Sequence, residues 1–471
     1  MAKIFKKIKL NWQETALCIS AIVYAVYFSV ASFLRYDNYY TGRFDLGNMT
    51  QTVWNSVHGN IFMLTDPNGT REISRLAFHA DFILILLSPL YFLWEDPRML
   101  LLIQTVVLSF GGVFVYLISK HVLKNKTLSL VLALCFFLNP AVNFTNLFDF
   151  HPVTLATTFL LAAFYFIFKS KYKFTLIFLI LAGITKEQVW IINALIGLYL
   201  VFISKQKALG VFIFSLSSLI FYILIWIAIP KNLGGEHFAV EFYSDYGSSP
   251  GEVIKNVFLH PIQSIQTLLL PDRIGYLKQL FLPVGYLSLF GLPFMIFASP
   301  DLGINLLSDF PPMHQIYYQY SSTVTPFIFL STIFAIKFIK SRIPEIPYIA
   351  FAIVIFLFTL VSAYTFGPLP FAKKPNIDMF IKPLAIRSEV DEYINMLPDS
   401  ESVSATNNLG SHLSHRRNIY VVPLGIGKAD RVMFLMRNSN DKEKQILMEI
   451  EMDKRYYLIR QIENFYVFKK M

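Results

Sequence analysis

Two short charged turns, Asp149-Phe150-His151-Pro152 and Thr185-Lys186-Glu187-Gln188, interrupt long apolar stretches of this chain. Ionisable groups between membrane helices are costly to place there and mark a buried polar site. The apolar runs before them, residues 128–139 and 174–185, have twelve residues each. As helices they extend roughly 18 Å, against a hydrocarbon core of about 30 Å. Each turn is therefore expected to be sunk below the membrane surface. A sunken charged turn must line a wet cavity or pair internally, Lys186 with Asp149 or Glu187 with His151. Asp149, His151, Lys186 and Glu187 are accordingly expected to share one recess.

Further candidates lie elsewhere. Arg43-Phe44-Asp45-Leu46-Gly47 precedes an amphipathic stretch, residues 48–58, with Met49, Val53, Trp54 and Val57 on one helical face. Such a face suits a helix lying along the membrane surface. Asp45 stands at its start, and the residues alone leave two roles open, helix capping and catalysis. In Phe78-His79-Ala80-Asp81, Asp81 can cap the next apolar segment, and His79 is a loop histidine. No HExxH or clustered Cys/His pattern occurs, so a divalent metal is neither demanded nor excluded. Residues 311–320 are rich in aromatic and amide side chains, among them Gln315 and Tyr320. These suit sugar hydroxyls and ring faces, and they also suit a membrane-interface belt. The chain has no Walker sequence and no GxGxxG, so ATP-driven transport has no support. Its GxSxG match at 247–251 and SxxK matches such as those at 170–173 and 204–207 lie in loops and charged flanks beside apolar runs and support no hydrolase.

The elements that must position these groups are membrane helices. Of 471 residues, 55% are hydrophobic and only 15% charged. Apolar runs recur at 15–34, 99–119, 128–139, 153–168, 174–185, 189–203, 208–229, 281–310, 324–336 and 346–364. Together they predict an all-α polytopic membrane bundle of about 10–12 membrane helices. The first run is too long and too late for a typical signal peptide.

The net charge of +10 is not a nucleic-acid footprint. Lys3, Lys6, Lys7, Lys9, Lys120, Lys124, Lys126, Lys169, Lys171, Lys173, Lys205, Lys207, Lys337, Lys340 and Arg342 flank the runs, with only Glu14 and Glu345 among them. Elsewhere acidic residues outnumber basic ones, 29 to 26. That is a positive-inside signature and places these flanks in the cytoplasm.

Residues 35–98 and 231–280 are then external loops. Within the first, residues 82–94 are too short to span and read as an interfacial or re-entrant helix. Pro283, Pro293, Pro300 and Asp301 break the 281–310 block into an expected hairpin of short helices. Residues 1–364 form the membrane part, and 365–471 an external α/β domain. In that domain a helix is expected at 386–396, strands at 402–405, 419–422, 456–459 and 465–468, and a helix at 407–415. Cys18 and Cys135 fall in apolar runs and read as buried, inert thiols.

The order Phe44-Asp45-Leu46-Gly47, Gln51, Trp54-Asn55, His79, Leu147-Phe148-Asp149-Phe150-His151-Pro152 and Lys186-Glu187 resembles the prokaryotic membrane family called domain of unknown function 2079. The tail segments Ser404-Ala405-Thr406-Asn407 to His412, Arg416, and Tyr420 to Pro423 are similar to it as well. That family in turn resembles the C-type (GT-C) membrane glycosyltransferases. The resemblance implies a large first external loop carrying a catalytic acid and a sugar donor carried on a polyprenyl phosphate. Asp45 falls where that acid is expected, as a base toward the acceptor hydroxyl. Arg43, Lys186 or Arg75 would supply charge for the leaving phosphate. No Asp-x-Asp pair stands in the first loop, so metal dependence does not carry over.

The sequence thus predicts a multi-pass protein of a prokaryotic cytoplasmic membrane, with its N-terminus in the cytoplasm. Its predicted function is sugar transfer from a lipid-linked donor, with membrane lipid and no nucleic acid as partners. Asp45 is the expected catalytic residue. Arg43, His79, Asp81, Asp149, His151, Lys186, Glu187, Gln315 and Tyr320 are the expected substrate contacts. A transporter or lipid flippase, or a non-catalytic membrane scaffold, is the alternative; paired internal repeats would have favoured transport.

Overall fold

The computed structural model describes residues 11–437 and 441–471; Lys3, Lys6, Lys7 and Lys9 lie outside the described residues. The first helix, Trp12–Asp37, starts at Asn11, whose side chain accepts from Glu14 N at 3.1 Å. Ile19, Ile22, Val23 and Val26 stay exposed along it, the apolar outer face that a lipid-facing helix needs. Arg35, near its far end, is buried.

Among the described residues, four helices are long and apolar enough to cross a membrane: Trp12–Asp37, Arg98–Leu123, Lys207–Leu233 and Tyr348–Phe366. A fifth span would be the pair Lys126–Phe137 and Pro140–Leu147, bent by 43°. Pro140 has no N–H to continue the ladder there, and Asn139 Oδ1 caps the second half by accepting from Ala141 N at 2.9 Å. Pro152–Phe168, Tyr172–Gly183 and Val189–Phe202 are apolar but shorter, and much of Pro152–Phe168 is buried inside the bundle. Close packing depends on small residues. A Cβ at Gly111 or Gly112 would lie 2.6 or 2.4 Å from the rings of Phe136 and Phe137. Cys135 is buried as expected, whereas Cys18 is exposed on the outer face of its helix.

The 281–310 block is broken as its prolines predict, into Leu282–Val284, Leu287–Phe290, Leu292–Met295 and Ser299–Leu307. Before it, Pro250–Leu259, Pro261–Leu268 and Pro271–Phe281 each begin on a proline, which costs nothing at a first helical position. Ile254, Phe258, Ile262 and Ile265 are exposed on the first two.

In the first loop, the chain enters helix Asn48–Val57 through a π-helical turn, Arg43–Gly47. A small hairpin follows, β1 (Met63–Thr65) and β2 (Glu72–Ser74), which the sequence reading did not foresee. The segment at 82–94 is a short helix, Ile83–Leu87, running into a 3-10 turn.

The tail holds one sheet in the order β4-β3-β5-β7-β6. Its strands are β3 (Val403–Ala405), β4 (Ile419–Val421), β5 (Arg431–Leu435), β6 (Tyr456–Ile462) and β7 (Phe465–Lys470). β4, β3 and β5 are parallel, and β5, β7 and β6 antiparallel. Helix Arg387–Met396 appears where expected, but 407–415 is not a helix. Only a 3-10 turn, Asn407–Leu409, forms there, because the loop wraps around the Arg43 turn instead. β5 and helix Asp441–Met452 are additional elements.

Candidate active site

The turn at 149–152 joins helices Pro140–Leu147 and Pro152–Phe168. Asp149 adopts φ 43°, a left-handed conformation that Asp tolerates better than most residues. Gln104, fully buried in helix Arg98–Leu123, holds the turn in place. Its Nε2 donates to Asp149 O at 2.8 Å, and its Oε1 accepts from His151 N at 2.9 Å.

The Asp149 carboxylate points to the base of the first loop. Oδ2 accepts from Gly42 N at 3.0 Å, and Oδ1 lies 3.7 Å from Arg35 Nη2. Burial pushes its carboxyl up to about 6 against the pull of Arg35. His151 faces the other way. Its Nδ1 meets Phe148 O at 3.2 Å, and its Nε2 meets Asp45 Oδ1 at 3.1 Å. Asp45 is not a cap: Gly42 occupies that position, and the Asp45 side chain is one-third exposed (34%) beside His151.

At the second turn, Glu187 is buried and fully engaged. Oε1 meets His79 Nδ1 at 2.9 Å, Oε2 accepts from Ala80 N at 3.0 Å, and His237 Nε2 is 3.7 Å away. Burial opposes its charge, but His79, His237 and Lys186 outweigh that cost and hold the carboxyl well below the usual carboxylate range. Lys186 forms no salt bridge among the described residues, and its ammonium lies 5.8 Å from the centroid of the Tyr320 ring. The internal pairs expected from sequence, Lys186 with Asp149 and Glu187 with His151, therefore do not form. Each acid finds a partner from a distant segment instead.

A cavity of about 820 Å³ joins these groups. Its lining includes the polar Asp45, His79, His151, Lys186, Glu187 and Tyr320 and the apolar Phe221, Ile225, Trp226, Ile254 and Phe258. Four expected contacts sit differently. Asp149 is behind the wall, bonded to Gly42. Asp81 borders the cavity, but its carboxylate is held by Arg75, through Nε at 3.1 Å and Nη2 at 2.8 Å, which also neutralises Arg75. Arg43 is fully buried and does not line the cavity. It bonds Asn48, Gln51 and the Thr65 carbonyl, pinning helix Asn48–Val57 to β1. Gln315 is exposed outside the cavity, and Gln319 lines it instead.

His79, Glu187 and His237 place ligand-type atoms within 4.8 Å of one another, a donor set that suits zinc. His237 Nδ1, however, accepts from Ala239 N at 3.1 Å, so in the neutral ring Nε2 carries the hydrogen and faces Glu187. As placed, Glu187 is hydrogen-bonded to His79, while His237 Nε2 stands 3.7 Å from it without a hydrogen-bond partner among the described residues. A cation at His237 Nε2 would require the ring to give up Ala239. Sequence reasoning missed both Gln104 and His237. An amide in the middle of an apolar helix was the available signal for Gln104.

A family model for predicted membrane proteins, DUF2079, matches residues 35–460. The chain belongs to that family. No curated protein matches it. Among solved structures, ArnT from Cupriavidus metallidurans, in a crystal structure bound to undecaprenyl phosphate, is similar over 96% of this chain and 98% of that one. The TM-score is 0.55 and the identity 11%. That likeness is one of fold. This DUF2079 chain has an ArnT-like fold, with several apolar helices and a small C-terminal sheet.

Proposed function

We propose that this chain is a membrane glycosyltransferase that moves a sugar from a polyprenyl-phosphate carrier to an acceptor hydroxyl. It works on the external side of a prokaryotic cytoplasmic membrane, with residues 365–471 outside. The observation that carries this reading is the mixed lining of the cavity. Asp45, His151 and Lys186 border it together with the apolar Phe221, Trp226 and Phe258. An amphiphile with a sugar phosphate at its head and an isoprenoid tail matches such a lining. The structurally similar ArnT was crystallised with undecaprenyl phosphate, a polyprenyl phosphate without the sugar.

In this reading the acceptor oxygen attacks the anomeric carbon, and the bond from that carbon to the phosphate oxygen breaks. The acceptor proton goes to the Asp45 carboxylate, oriented by His151. The carrier departs as a phosphate monoester with one more negative charge, which Lys186 offsets. Tyr320, beside Lys186, offers a ring face to the sugar. The test is a profile of lipid-linked sugars in cells with and without the protein. A sugar-loaded polyprenyl phosphate should accumulate when the protein is absent. Unchanged donor and glycan profiles would refute the assignment.

A further inference from the structure

Asp45 belongs to a helix whose start cannot be capped by its own residues. The first N–H groups of a helix have no partner within it, and the residue before Arg43 is a glycine with no side chain to offer. Three consecutive N–H groups there are taken by side chains from elsewhere. Gly42 N donates to Asp149 Oδ2 at 3.0 Å. Arg43 N and Phe44 N both donate to Asn407 Oδ1, at 2.8 and 3.3 Å. Asn407 lies two residues past the C-terminal end of β3, an interior strand of the C-terminal sheet.

The fit is tight on both sides. A Cβ on Gly42 would lie 2.7 Å from Asn407 Nδ2, so a side chain on residue 42 and the cap from Asn407 exclude each other. A Cβ on Gly410 would lie 2.2 Å from Arg43 Cβ. Thr41 Oγ1 and Ser411 Oγ are 2.7 Å apart, and Gln51 Nε2 donates to the carbonyls of Arg416 and Arg417, both at 2.9 Å.

We infer that the C-terminal α/β unit is a working part of the active site, and that Asn407 is a positioning residue. It supplies, from a distant segment of the same chain, the helix cap that fixes the Arg43–Gly47 turn and so aims Asp45 at the cavity. This rests on the reading of Asp45 as the base.

Asn407→Ala removes the acceptor. Asn407→Asp keeps an oxygen in the same place and caps about as well as Asn. Losing a cap corresponds to roughly five- to tenfold in the ratio of ordered to open turn. Asn407→Ala should therefore speed amide exchange of residues 43–46 by about that factor, and lower kcat while leaving KM for the donor unchanged. Asn407→Asp should restore both. Arg437→Ala removes a separate docking contact, to the Asn38 carbonyl and the Tyr40 hydroxyl, that reaches none of the N–H groups of residues 42–44, and should change neither. Wild-type kcat and exchange in Asn407→Ala would overturn the proposal, as would equal losses in Arg437→Ala. If the wild-type protein transfers no sugar, the transferase reading falls, and exchange at 43–46 still decides whether Asn407 holds the turn.

Discussion

Acid should loosen the C-terminal unit from the membrane part, because two of the side chains joining them are half-buried histidines. His412 is sandwiched between Tyr36 and Tyr39, with ring centroids 3.9 Å away on each side, and its Nε2 donates to Tyr36 O at 2.9 Å. His415 packs near Trp54 and Tyr91. Burial pushes both imidazoles down to about 4, from the ordinary value near 6.5. The undocked unit therefore binds protons that the docked one does not. Stability is undisturbed above about pH 6.5, declines as pH falls below it, and levels off below about pH 4.

At pH 5 each histidine shifts the equilibrium by a factor of about 30, or about 2 kcal/mol. Attraction between an imidazolium and the flanking rings returns roughly 1 kcal/mol. The net loss for both is then about 3 kcal/mol, or roughly a hundredfold more of the opened form. Limited proteolysis in the non-helical stretch 367–377, with rates normalised to an unstructured peptide at each pH, should register it between pH 7.5 and 5. The double variant His412→Phe/His415→Phe keeps the ring packing without a titratable group and should lose the pH dependence. Equal cleavage of the wild type at both pH values would refute the reasoning, and so would unchanged pH sensitivity in the double variant.

Two further outcomes follow from the packing and the charge pattern. Gln104→Leu strips two hydrogen bonds from the buried Asp149–His151 turn, and should lower stability by about 2–4 kcal/mol, read as a fall in Tm of the detergent-solubilised protein; an unchanged Tm would show that water replaces the amide. Cysteine introduced at Ser248 should react with an impermeant external thiol reagent in intact cells, while cysteine at Ser170 should not; the reverse pattern would invert the orientation.

The two turns that the sequence singled out both border one cavity, through His151, Lys186 and Glu187, although the first is reached by the bent pair Lys126–Phe137 and Pro140–Leu147 and not by one short helix. Their partners were not legible. Glu187 is satisfied by His79 and His237, which lie 108 residues before it in one loop and far after it in another. Nothing in local spacing encodes such contacts. Arg43 and Arg75 read as free cations, because sequence reports charge and not the Gln51 and Asp81 that consume it. The β1–β2 hairpin was missed although Asp66-Pro67-Asn68-Gly69 is a turn signal. The stretch 407–415 was assigned as a helix on local pattern, and the close approach of Gly410 to Arg43 overrode it. The membrane helices and most of the tail's strands were legible, since their apolar periods are local.

The central claim is that Asp45 performs the chemistry, and one comparison tests it most directly. Asp45→Asn keeps the side chain's size and an oxygen for His151 but cannot take up a proton as a carboxylate does. With purified protein, a polyprenyl-phosphate sugar and an acceptor, the variant should fold and insert normally. Its transfer should be slower by roughly two orders of magnitude or more, the scale of lost general-base catalysis. Turnover at the wild-type rate by well-folded Asp45→Asn would contradict the account.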